Sequence, residues 1–97
     1  MAYLVHNMAL LERYWKSNVI TGSQIRSARA ALRWSAEKLA LNSGVGLRTI
    51  KRIEQEDGIP NSHSYTLANL QSTLEAAGIE FIGTPEDRPG VRLNRAK

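Results

Sequence analysis

The sequence predicts a mainly α-helical domain that closes on a short two-stranded β element. Three observations carry this prediction. Apolar residues recur at spacings of three and four through most of the chain, capping residues and glycines punctuate those stripes, and only the C-terminal end turns to β-prone runs. With 97 residues there is room for one compact domain and not two. Apolar residues at 42% and charged residues at 23% match ordinary globular usage and exclude wholesale disorder. Cysteine is absent, so disulfide frameworks, thiol catalysis and cysteine-ligated metal centres are ruled out together. Thirteen Lys and Arg against nine Asp and Glu leave a formal charge of +4, which favours a polyanionic partner, nucleic acid first.

Each element has its own warrant. Ala2 to Ser17 carries Leu4, Met8, Leu11 and Trp15 on one stripe, which predicts an amphipathic helix. Thr21 and Gln24 have capping-box spacing and open a second helix, Gly22 to Arg33, with Ile25, Ala28 and Leu32 inward and Arg26, Arg29 and Arg33 at helical spacing. Trp34-Ser35 interrupts it, and Ser35 caps a short helix from Ala36 to about Asn42. Ser43 to Gly46 reads as a tight connection, with Gly44 suited to the left-handed residue past a helix end. The next helix, Leu47 to about Glu56, buries Ile50 and Ile53 before Asp57-Gly58-Ile59-Pro60 stops it. Ser64 is expected to cap a last helix, Tyr65 to Ala77, with Leu67, Leu70, Leu74 and Ala77 inward and Gly78 as its stop. Ile79 to Ile82 and Val91 to Leu93 read as strands joined by a loop, Gly83 to Gly90, and Arg95 to Lys97 as a frayed end. The chain therefore divides into an N-terminal extension (1–19), a helical domain (20–78) and a β extension (79–97).

The helix at Leu47 has two chemically distinct faces. Ile50 and Ile53 lie near one another, Arg48 and Arg52 fall opposite, and Lys51 flanks them. A solvated charge run gives the same wheel, but the segment before it narrows the reading. Ser35-Ala-Glu-Lys-Leu-Ala-Leu-Asn-Ser-Gly-Val-Gly-Leu-Arg-Thr-Ile-Lys-Arg-Ile-Glu54 resembles the helix-turn-helix of XRE-type, lambda-repressor-like regulators, with Leu39, Ala40, Gly44, Val45, Ile50 and Glu54 at the signature positions. A small Ala40 lets two helices approach, Gly44 permits the turn, and Val45 with Ile50 fixes the crossing angle. The resemblance covers about Ile20 to Ala77.

What the resemblance implies is a mainly α lambda-repressor-like bundle whose reading helix, Leu47 to Glu56, enters the major groove of duplex DNA. Leu47, Arg48, Thr49 and Arg52 match the family's base-facing positions. Arginine can donate twice to the O6/N7 edge of guanine, and Leu47 or the Thr49 methyl can touch a thymine methyl. Lys51, Lys38 and Arg26 are implied phosphate contacts, with Asn61, Ser62 and His63 as further candidates in the loop before the last helix. Arg29 and Glu54 match a family ion pair that orients the reading helix. Two positions depart from the family pattern. Ala36 stands where many members carry a phosphate-clamping glutamine, and Gly46 replaces the Ser or Thr cap of the reading helix. The implied function is sequence-specific transcriptional regulation, as a dimeric repressor. An antitoxin that binds DNA and a toxin, with Ala2 to Ser17 as its second surface, is one alternative, and a non-DNA-binding adaptor another. The cationic face argues against the adaptor.

The C-terminal runs are expected to make the dimer. A lone hairpin is marginal in water and exposes unpaired edges, so Ile79, Phe81, Val91 and Leu93 could be buried in a sheet shared by two subunits. The rival arrangement folds the hairpin back on its own helices. No enzyme is expected, and no cofactor or metal: His6 and His63 are far apart in sequence, and Gly44-Val-Gly46 lacks the strand and third glycine of a dinucleotide fingerprint. With no apolar run of membrane-spanning length and no basic leader, the expectation is a cytoplasmic protein without a membrane partner.

Overall fold

The computed structural model describes residues 20–94. The helix expected over Ala2 to Ser17, with His6, and the tail 95–97 lie outside them. The described chain forms α1 (Gly22–Leu32), α2 (Ala36–Ser43), α3 (Leu47–Glu54) and α4 (Ser64–Ala76), followed by β1 (Ile79–Thr84) and β2 (Asp87–Leu93). It is mainly helical with one two-stranded antiparallel sheet.

The expected stripes supply the core. Ile25 and Ala28 of α1, Leu39 of α2, Ile50 and Ile53 of α3, and Leu70 and Leu74 of α4 are all 0% exposed. Local chemistry sets the helix ends as expected at three places. Thr21 and Gln24 form the reciprocal capping box, and the Ser35 hydroxyl accepts from Lys38 N–H. Gly44 takes φ +78, so the chain leaves α2 in the left-handed region that glycine enters without a Cβ penalty. Gly46 provides no side-chain cap for α3. Between α2 and α3 lie only Gly44, Val45 and Gly46, which forces the two short helices to cross in contact.

Several boundaries differ from the sequence reading: α1 ends at Leu32 with Arg33 left-handed at φ 59, α3 ends at Glu54, and α4 ends at Ala76. His63, not Ser64, is the N-cap of α4; it makes no side-chain cap bond, and its carbonyl accepts the first helical bonds from Thr66 and Leu67 N–H. Its ring stacks on Tyr65 with centroids 5.5 Å apart. The strands are also longer than expected. Thr84 pairs with Asp87, so the loop shrinks to Pro85-Glu86, and Gly83, Pro89 and Gly90 belong to the strands. Proline is compatible here because both strands of a two-stranded sheet are edges, and the irregularity between Ile82 and Thr84 takes up Gly83 at φ +77.

The hairpin is part of the protomer's own core, which corrects the expectation that Ile79 waits for a second subunit. Ile79 is 3% exposed inside the cluster built by the helices, and Phe81, Val91 and Leu93 pack against that cluster while half-buried. Ile79 pairs with Leu93 and Phe81 with Val91, so all four side chains share the face turned to the helices. The hairpin's marginal stability is thus met by α1 and α4, the rival arrangement named above.

Gln24 fastens this contact. Its Oε1 accepts from Thr21 N–H at 2.9 Å, while its Nε2 donates to Ile82 carbonyl at 3.1 Å and Gly90 carbonyl at 2.9 Å, one on each strand. One buried amide therefore caps α1 and joins it to both strands. Gln24→Glu is expected to destabilise the fold by about 2–3 kcal/mol at neutral pH, because a carboxylate donates nothing and faces two carbonyl oxygens. Urea unfolding checks this, with partial recovery expected in acid as the protonated carboxyl regains one donor. Wild-type stability would refute the bridge.

Candidate nucleic-acid interface

The sequence of α3 sorts its side chains into two faces. Ile50 and Ile53 are fully buried, whereas Arg48, Lys51 and Arg52 are exposed and Leu47 and Thr49 half-buried. The wheel expectation holds in three dimensions: the surface opposite the core stripe is cationic. Of the four residues singled out for base edges, Arg48 and Arg52 present charged side chains to solvent. Arg52 also donates through NH1 to the Asn61 carbonyl at 2.9 Å, which ties it to the loop between α3 and α4. In that loop Asn61 and His63 are exposed and Ser62 half-buried. Lys38 lies exposed on α2, its ammonium 5.9 Å from the centre of the Trp34 ring, an arrangement that steadies a long side chain through cation–π attraction.

Behind this surface, two arginines of α1 grip one residue of α3. Arg29 and Glu54 form the forked ion pair that the resemblance implies: Nε and NH2 donate to the two carboxylate oxygens at 2.8 and 2.7 Å. Arg29 NH1 also donates to Trp34 carbonyl at 2.9 Å, so the same guanidinium closes the end of α1. Glu54 is buried. Hydrogen bonding to Glu54 raises the Arg29 pKa above the ordinary arginine value. Burial opposes this, and the negative charges of Glu54 and Glu37 reinforce it.

Arg26, one turn earlier and expected at a phosphate, has two acceptors inside the protein. Its guanidinium donates to the Glu54 carbonyl through NH1 and to Asp57 Oδ1 through NH2, the latter at 2.8 Å. Arg26 therefore serves the carbonyl end of α3, where a cation also complements the helix dipole. The N-terminus of α1 meets this same end. Gly22 N–H donates to Gly58 carbonyl at 3.0 Å, and the backbone at Gly22 touches the carbonyls of Ile53 and Glu56. The positive end of α1 thus faces the negative end of α3.

Three participants were missed by sequence reasoning: Gln24 as a bridge, Asp57 as a partner of Arg26, and Gly22 as a contact point. Gln24 was legible only as a cap. The Asp57 and Gly22 contacts span more than thirty positions in the chain and leave no periodic trace. Among the described residues no group of three His, Asp or Glu side chains converges as a metal site, and no helix is long and apolar enough to cross a membrane. No protein-family model and no curated protein sequence matches this chain.

Proposed function

We propose that the chain is a lambda-repressor-like helix-turn-helix regulator that binds duplex DNA by seating α3 in the major groove. The observation that carries this reading is the exposed Arg48, Lys51 and Arg52 face, set directly opposite Ile50 and Ile53 on a helix whose far end is clamped by Arg26 and Arg29. Clamped placement matters because readout of base edges depends on a fixed trajectory of the helix relative to the groove. Arg48 and Arg52 read bases, Leu47 and Thr49 supply apolar contact to thymine methyls, and Lys51 and Lys38 neutralise phosphates. Asn61, Ser62 and His63, in the loop before α4, are further phosphate contacts in this reading. We propose further that two copies bind together as a repressor, since one short helix covers too few base pairs for high specificity. No step of this function requires chemistry on the ligand.

Selection of bound sites from a random duplex pool tests the reading. Enrichment of a two-fold symmetric sequence is expected, and an enriched single half-site would remove the dimer while leaving the reading helix. With the selected site in hand, Arg48→Ala should weaken binding by about 1–3 kcal/mol and relax preference at one position. Lys51→Ala should weaken all sequences alike and shallow the salt dependence by about one phosphate contact. Unchanged affinity and preference in both Arg48→Ala and Arg52→Ala would sink the docking model, as would the absence of any enriched site.

A further inference from the structure

We infer that Arg26 and Asp57 are positioning residues for the base-reading Arg52, acting through the loop between α3 and α4 and not through contact with DNA. The inference rests on the DNA-binding reading above and replaces the phosphate contact that the sequence resemblance implies for Arg26. Arg26 has two acceptors inside the protein, the Glu54 carbonyl at the end of α3 and the Asp57 carboxylate three residues later. Gly22 N–H holds the next residue, Gly58, by its carbonyl at 3.0 Å. Three residues further on, the Asn61 carbonyl accepts from Arg52 NH1 at 2.9 Å. The path is continuous: α1 fixes the start of the loop, the loop fixes the Asn61 carbonyl, and that carbonyl aims the Arg52 guanidinium. Arg52 keeps its Nε and NH2 hydrogens for a base edge, so the tether orients the fork without consuming it. Because Asp57 is 87% exposed, its pair with Arg26 adds little to global stability, and its effect is to choose among arrangements of the loop.

Positioning and phosphate contact predict opposite signs at Asp57. A phosphate-binding surface gains from losing a nearby carboxylate, so Asp57→Ala should tighten DNA binding if only charge matters. Loss of the latch should instead weaken it. The two accounts also diverge at Arg26→Lys. An ammonium satisfies a phosphate as a point charge, whereas the two-acceptor grip needs the arginine fork.

The test uses the full chain and the duplex selected from the random pool, with affinity measured by fluorescence anisotropy across a salt series. Asp57→Ala is expected to weaken binding about twofold to fivefold, the range that an exposed pair worth up to about 1 kcal/mol can supply, with the salt slope unchanged. Arg26→Lys should lose nearly as much as Arg26→Met. Repeating the selection with Asp57→Ala should relax the same base position that Arg52→Ala relaxes, a readout that simple destabilisation would not produce. Tighter or unchanged binding by Asp57→Ala overturns the inference while leaving the DNA reading intact. So does a shallower salt slope in Arg26→Met with Arg26→Lys near wild type, the signature of a direct phosphate contact. Failure of the wild-type protein to enrich any duplex overturns both. Asp57→Ala is a change at an exposed loop position, so the test survives even if Arg26→Met fails to fold.

Discussion

Gly22→Ala should destabilise the protein more than any other single-methyl addition to α1, by about 2–4 kcal/mol, although alanine is the better helix former by about 1 kcal/mol. The reason is the contact between the start of α1 and the end of α3. A Cβ at residue 22 would overlap the carbonyl oxygens of Glu56 and Ile53, both backbone atoms that no rotamer change can move. The helix would have to retreat, and with it the Gly22 N–H bond to Gly58 and the Arg26 bond to Glu54. Thermal and urea unfolding check the magnitude. An Ala30→Gly variant serves as the control, because residue 30 is exposed on the same helix and should show only the propensity effect, about 1 kcal/mol in the destabilising direction. Stabilisation by Gly22→Ala would mean that the close approach of the two helix ends is not maintained in solution.

Gly22 also marks the limit of what the sequence reveals. Residues whose roles follow from chain neighbours were legible. The stripes of Ile25 with Ala28, Ile50 with Ile53, and Leu67, Leu70 and Leu74 announced buried faces because periodicity is a local property. Thr21, Ser35 and Gly44 announced helix ends because capping chemistry acts within four residues. Gly22 read as an ordinary first-turn residue, since its partner carbonyls lie more than thirty positions away. The strands failed for a related reason. Gly83, Pro89 and Gly90 carry turn propensity, yet at the edges of a two-stranded sheet, anchored by Gln24 to α1, that propensity is overridden by tertiary contact.

The candidate site divides the same way. Arg48, Lys51 and Arg52 could be assigned to one exposed face from the wheel alone, because Ile50 and Ile53 on the opposite side leave no other choice. Arg26 shares α1 and a basic side chain with Arg29, so composition and spacing could not separate an internal clamp from a free cation. Only the folded geometry, with Asp57 and the Glu54 carbonyl within reach, distinguishes them. Ile79 shows the complementary error. Its alternation with Phe81 correctly predicted a shared face, but alternation does not say which surface that face meets, and the helices of the same protomer were close enough to supply it.

The second large effect is expected at the Arg29–Glu54 pair, and it should be asymmetric. Arg29→Met strands the Glu54 carboxylate, whose side chain is 8% exposed, and also removes the donor to Trp34 carbonyl. A loss of about 3–5 kcal/mol follows from leaving a buried charge uncompensated. Glu54→Leu should cost less, because the Arg29 side chain is 23% exposed and can still reach water and Trp34 carbonyl. The double variant should be more stable than the sum of the two losses predicts, with a coupling of about 1–3 kcal/mol in a complete cycle. Alkaline titration provides a further check on sign. Hydrogen bonding to Glu54 raises the Arg29 pKa in the folded state, so the guanidinium's contribution is fully present below the ordinary arginine value and is lost only as pH rises through the raised one. The Arg29 contribution to stability should therefore stay constant up to about pH 10, unlike that of a lysine at the same position, which begins to deprotonate there. Because Glu54 is the last residue of α3, Arg29→Met in a background stabilised enough to stay folded should also weaken binding to the selected duplex without changing the salt slope. Additive losses across the cycle would show that the two residues contribute independently, and α3 would then owe its orientation to Ile50, Ile53 and the Arg26 contact.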